Sequence, residues 1–300
     1  MAVTLRDTIK DTVAKHLNGG GLAFGQCLTA VGWVGGTLPE MYEDQGMVEL
    51  SMADVAGGAI VTGAGLTGRR PIYVIRYQGF NWYNCVSILN YACKSKEMWG
   101  VPCPVFVRSI AMEGAIGPVA GGSHHSLYHR MPGIKIYSPM TPNEYKECYN
   151  DFMNGDDVFY VSEHREAYNN TEELEDIEFE YPDFILFPIS ICRFAAVEAS
   201  RELLKEGLQV SVYHQRILKP FKVQPKWSQY LQDCQNGLVI DDDFPDGIAS
   251  TLAQKLMLES GAKVWTMGLE ERSAGFAKHL DNLPPSKDKI KEFIKNAINN

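Results

Sequence analysis

SMADVAGGAIVTGAGLTGRRPIYVIRY, residues 51–77, is the stretch on which the fold turns. From Ala53 to Leu66 it is built almost wholly of small residues, the composition of a helix that lies close against another backbone. Gly68 ends that helix before Arg69-Arg70-Pro71. PIYVIRY (71–77) then reads as a strand buried on both faces. A small-residue helix feeding a buried strand is the unit of an α/β sheet, and the same alternation continues on either side.

Downstream, NWYNCVSILNYACKSKEMWG (81–100) has apolar residues at helical spacing and predicts one helix. VPCPVFVRSI (101–110), IKIYSPM (134–140) and VFYVSEH (158–164) predict strands, and TPNEYKECYNDFMNG (141–155) predicts a helix capped by Thr141 with Glu144 three residues on. Upstream, Leu5, Ile9, Val13 and Leu17 recur every four residues in an amphipathic helix that stops at Asn18-Gly19-Gly20-Gly21, and LAF (22–24) is a short strand. Two glycine-rich stretches, 25–46 and 112–126, read as irregular functional loops; the second follows a strand, the default ligand position in a parallel sheet.

The acidic run EELEDIEFEYPD (172–183) interrupts the alternation and reads as a solvated linker. Beyond it come a helix in ICRFAAVEASRELLKEG, a strand in LQVSVYHQRILKPF, a strand in NGLVIDDDF, a helix in GIASTLAQKLMLESG, a strand in AKVWTMGL and a last helix with apolar residues at 290, 293, 294 and 298. The chain divides into a first domain at 1–168, the linker at 169–186 and a second domain at 187–300. The predicted class is α/β, with two domains, each a mostly parallel sheet flanked by helices.

Composition narrows the function. Lys and Arg total 28 against 37 Asp and Glu, a net charge of -9, so the chain lacks the basic surface that nucleic-acid binding needs. No apolar run is long enough for a membrane span, and the N-terminus has no signal-peptide core, so no membrane role is expected. The seven cysteines include no CxxC pair and read as reduced core thiols of a cytoplasmic protein. Neither a phosphate-binding GxxxxGK[ST] loop, nor HExxH, nor GxSxG occurs.

From Leu5 onward the order of segments resembles the beta subunit of the thiamine-diphosphate-dependent decarboxylase component of 2-oxo-acid dehydrogenase complexes. More distantly, it resembles the C-terminal half of transketolase. The pieces that carry the resemblance are TLRDTIKDTVAKHL; LPEMYEDQGMVELSMADVAGGAIVTGAGLTGRRPI, with G-x-R-P at Gly68, Arg70 and Pro71; YQGFNWYNCVSILNYACK; GGSHHS; RMPGIKIYSPMTPNEYKECYND; VFYVSEH; GLQVSVYHQRILKPF; and GLVIDDDFPDGIASTLAQKLM.

The resemblance implies a pyrimidine-binding domain followed by a transketolase C-terminal-like domain, with thiamine diphosphate shared between two chains. Diphosphate and Mg2+ would sit on an alpha-type partner carrying a GDG…N motif, which this sequence lacks, in an α2β2 heterotetramer acting on a 2-oxo acid or ketol donor. The family's glutamate, whose carboxyl beside the pyrimidine nitrogen promotes the tautomer that takes the thiazolium proton, falls on Asp54. Aspartate is one methylene shorter, and a proton-transfer partner must come within about 2.6–3.2 Å.

Phe80 falls where the family has an aromatic against the ring, and Tyr77 could exchange roles with it. His124 in GGSHHS matches the active-site histidine, and His125 beside it is a second candidate for substrate contact; both are expected on an exposed rim. Taken by itself, Asp54 is also a helix N-terminal carboxylate stabilised by the dipole, and Glu49 is the nearest other carboxylate. Loss of the family glutamate leaves open a degenerate, non-catalytic partner subunit.

Overall fold

The computed structural model describes residues 2–28, 34–112 and 120–299, so 29–33 and 113–119, parts of the two glycine-rich stretches, lie outside the described residues. Strands β1 (Ala23–Gly25), β2 (Met47–Glu49), β3 (Ile72–Ile75), β4 (Phe106–Ala111), β5 (Ile134–Tyr137) and β6 (Val158–His164) precede the acidic run. Strands β7 (Phe184–Pro188), β8 (Val210–Val212), β9 (Ile217–Lys219), β10 (Asn236–Ile240) and β11 (Lys263–Met267) follow it. They form a seven-stranded sheet in the order β2-β1-β3-β4-β6-β5-β9 and a four-stranded sheet in the order β11-β10-β7-β8. Among the described residues these strands pair in parallel except for β9 with β5, which is antiparallel.

Periodicity explains the layers. Leu5, Ile9, Val13 and Leu17 line one face of the Leu5–Asn18 helix and are buried against Phe106, Tyr145 and Phe152 on one side of the larger sheet. Each such side chain contributes about 1.5–3 kcal/mol by leaving water. On the opposite side the Asp54–Leu66 helix lies close because its residues are small: a Cβ on Gly58 would stand 2.0 Å from the Asn84 carbonyl oxygen. The core beneath it, with Phe24, Val61 and Tyr73, is continuous with Phe187, Val239 and Leu252 of the second half. Ile290 and Ile294 of the last helix close the far face of the smaller sheet.

Two element assignments need correction. The segment 81–100 is not one helix: Asn81–Asn84 is helical, Ile88–Ala92 is a wide π turn, and Cys93–Trp99 resumes the helix. The wide turn resets the helical phase, which keeps Cys85, Ile88, Ala92 and Cys93 all buried. LQVSVYHQRILKPF is two strands in different sheets, β8 and β9. Just after the first stretch read as irregular, Met47–Glu49 forms the edge strand β2.

The acidic run is a strap tied to its surroundings rather than a free linker. Glu173 accepts from the Thr141 hydroxyl (2.5 Å) and Asn143 N–H (3.0 Å), Asp176 accepts from His214 N–H (2.8 Å), and Ile177 bridges to Val212. Regular structure resumes at Phe184, inside the stretch read as linker. Glu144 does not close a capping box; its carboxylate accepts from Met140 N–H (2.9 Å) and pairs with buried Arg193 at 2.8 and 2.5 Å, joining the two halves.

Candidate functional site

The loops that follow β1 and β3 and the first turn of the Asp54–Leu66 helix meet at the carboxyl ends of the parallel strands. There they enclose a cavity of about 110 Å³ lined by Gln26, Met52, Asp54, Val74, Phe80 and Asn84, among others. Asp54 is the first residue of its helix, where the helix dipole favours a carboxylate, and its Oδ1 accepts a 2.6 Å hydrogen bond from Gln26 Nε2. Asn84 Nδ2 donates to the Phe80 carbonyl (3.0 Å) and its Oδ1 accepts from the Tyr73 hydroxyl, which fixes the turn that carries Phe80.

Tyr77 does not line this cavity. Its ring packs on Phe80 with centroids 5.9 Å apart, and the Arg76 guanidinium lies 5.1 Å from the Tyr77 centroid. Glu49 serves the backbone instead: its carboxylate accepts from the N–H groups of Cys27 and Leu28, the latter at 2.9 Å. That clamp secures the turn at Cys27, whose φ is 58°, next to Gln26. The sequence does not single out Gln26, because nothing in its neighbours signals a partner 28 positions away.

The two histidines separate. His124 is partly buried, its backbone N–H donates to Gln78 Oε1 (2.7 Å), and its Nε2 is enclosed with no hydrogen-bond partner at close geometry among the described residues. Burial lowers its pKa below the usual 6.5, only partly offset by Asp243. It does not line the Asp54 cavity; Gln78, in the same short turn as Phe80, is the link between them.

His125 is not on an exposed rim. It is fully buried, with Nε2 2.8 Å from Asp241 Oδ2 and Nδ1 3.1 Å from the Ser162 hydroxyl. Burial pushes its pKa down, but the charge and hydrogen bond of Asp241, with Asp243 and Asp242 beyond, outweigh that and raise it to about 9. The expected rim position fails because a glycine-rich loop does not by itself reveal what covers it, and the covering aspartates come from the end of β10, 116 positions away.

All seven cysteines are free, and five are buried. Burial pushes the Cys85 and Cys93 thiols up to about 12, which makes them core residues rather than nucleophiles. Among the described residues no group of three or more His, Cys, Asp or Glu is arranged to hold a metal ion, and no helix is long and apolar enough to cross a membrane.

The fold of the first half is similar to that of a pyrimidine-binding domain of the transketolase type. Residues 29–171 match the family model of the transketolase pyrimidine-binding domain. The chain is 25% identical over 208 residues to the beta subunit of 2-oxoisovalerate dehydrogenase from Bacillus subtilis, a match covering 61% of each chain, so it spans about three fifths of that relative. Over 290 residues it is 23% identical to the beta subunit of the pyruvate dehydrogenase E1 component from Staphylococcus epidermidis, covering 88% of this chain and 86% of that one. Among solved structures, a split-gene transketolase described as an inactive β4 tetramer superimposes with a TM-score of 0.76 at 12% identity, over 100% of this chain and 99% of the other; this likeness is one of fold.

Proposed function

We propose that this chain is the beta component of a two-chain, thiamine-diphosphate-dependent enzyme that acts on a 2-oxo acid or ketol donor. The observation that carries the reading is the cavity in which Asp54 and Phe80 meet. Its lining fits the pyrimidine end of the cofactor: an aromatic face, aliphatic walls from Val74 and Ile75, and one carboxylate. Its volume, well below the ~300–1,000 Å³ of ordinary ligand pockets, suits a ring and not a whole cofactor. The diphosphate and Mg2+ would then be held by an alpha-type partner carrying GDG…N, in an α2β2 assembly.

The cofactor, when bound, supplies the electron sink for carbanion chemistry. Within this chain, Asp54 would hold a proton at the pyrimidine nitrogen through Oδ2, because Oδ1 is engaged by Gln26. Phe80, braced by Tyr77, would cover the ring face and exclude water. His124, kept neutral by burial, would accept or return a proton on the substrate side through its imidazole. His125 has no substrate contact in this reading.

Beside Asp54 the side chains of Met52, Val55, Ile60, Trp82 and Tyr83 are 50–78% exposed, an apolar face that supports a partner at this position. Seven free thiols support a cytoplasmic location. A second reading, a non-catalytic partner subunit, is favoured by the Gln26 bond to the shortened acid, which occupies one carboxylate oxygen.

Calorimetry with thiamine diphosphate and Mg2+ tests the proposal. The chain alone is expected to bind weakly or not at all, and the complex with its alpha-type chain tightly. Tight Mg2+-dependent binding by the isolated chain would refute the divided site.

A further inference from the structure

The IDDDF run, residues 240–244, leaves the carboxyl end of β10 and enters the junction between the two sheets. Each of its three aspartates engages a different residue of the loop 123–126. Asp241 Oδ2 lies 2.8 Å from His125 Nε2, Asp242 Oδ2 accepts from the Ser123 hydroxyl (2.7 Å), and Asp243 Oδ2 accepts from Ser126 N–H (3.1 Å). Ser123 N–H also donates to the Asp242 carbonyl (2.9 Å), and the Ser126 hydroxyl accepts from Ile248 N–H at the start of the next helix (2.9 Å).

Three acids of like charge in a dry junction are costly unless paired and hydrogen-bonded, and here the loop supplies both the cation and the donors. The fit is close: a Cβ on Gly247 would stand 2.2 Å from the Ser126 hydroxyl oxygen. Ser123, His125, Asp241 and Asp242 are all at most 1% exposed. Of the four loop residues, His124 alone is not hydrogen-bonded to the run or to the helix after it, and its backbone is held from the other side by Gln78.

We propose that Asp241, Asp242 and Asp243 form a clasp by which the second domain positions His124, gripping the residues on both sides of it. His125 is a positioning residue within this clasp. The consequence for function rests on the reading of His124 as the substrate-side histidine; the clasp itself does not.

The test is amide hydrogen–deuterium exchange by mass spectrometry on the full chain, comparing Asp241→Asn and the milder Ser123→Ala with the unmodified protein. Exchange in peptides covering 120–128 is expected to quicken about ten-fold or more in Asp241→Asn, and by a smaller factor in Ser123→Ala, while β3 and β6 stay protected. His124→Asn should leave this exchange unchanged. In the assembled complex, Asp241→Asn should lower kcat by more than it alters KM, with partial rescue by Asp241→Glu. Unchanged exchange at 120–128 in both variants overturns the clasp whatever the activity. Faster exchange with turnover intact upholds the clasp and removes His124 from the proposed chemistry.

Discussion

Replacing His125 with glutamine should change how stability depends on pH, and the structure sets both sign and size. The imidazole faces Asp241, Asp242 and Asp243 from the end of β10, Ser162 from β6, and His124 and His129 on its own segment, and His164 of β6 lies 3.6 Å from Asp242. Asp241 is chief among the groups that hold the ring protonated up to about 9 despite burial, against 6.5 in the unfolded chain. A group whose folded pKa is raised stabilises fully below its unfolded pKa and loses that contribution as pH climbs through the folded one. The loss should therefore fall between about pH 6.5 and 9 and amount to at most ~3 kcal/mol, roughly 5–10 °C in Tm.

Asp242, raised to about 7 chiefly by burial and then by Asp241, adds a decline of the same sign that ends near pH 7. His164, lowered to about 3 by burial, contributes the opposite slope between about pH 3 and 6.5 and nothing above it. Thermal melts across pH 6–9.5 read this directly. His125→Gln should lower Tm at pH 6.5, because Asp241 is left buried without its cation at a cost of about 3–5 kcal/mol, and should flatten the decline above pH 7. If the variant keeps the full decline between pH 7 and 9, His125 is not the group that titrates.

Gly58→Ala would drive a methyl into the Asn84 carbonyl at 2.0 Å, so the Asp54–Leu66 helix must move; we expect a loss of several kcal/mol by chemical denaturation, and a loss below ~1 kcal/mol would show that the contact yields. Asp54→Asn in the assembled complex should nearly abolish deuterium exchange at the reactive thiazolium carbon while cofactor affinity falls modestly. Exchange that matches free cofactor before and after the change would support the non-catalytic reading.

Much of the architecture is legible because it follows from local periodicity. The four apolar residues of the first helix and the buried run after Pro71 each announce their element, and the small-residue stretch from Ala53 announces close packing. What is illegible depends on distant partners. Nothing in LQVSVYHQRILKPF says that its second half leaves one sheet for another, and nothing in 81–100 announces the π turn at Ile88–Ala92, which follows the close approach of Asn84 to Gly58 and accompanies the burial of Cys85, Ile88 and Ala92.

The site divides in the same way. Asp54 and Phe80 are marked by a motif and meet in one cavity, whereas Gln26 and the Asp241–Asp243 run carry no motif that reveals what they touch. HHS and IDDDF each look solvent-seeking when read alone; it is their union that makes both of them interior.

Strand β9 carries a consequence for anyone who would cut the chain in two. A fragment ending in the acidic run would leave β5 with a bare row of amide and carbonyl groups, since its outer neighbour is encoded some 80 residues later. Such an edge invites pairing with a like edge, so half-chains should self-associate or precipitate. Expressed together, the halves should recognise each other through this strand, which makes the molecule a natural substrate for fragment complementation and a poor one for modular transplantation.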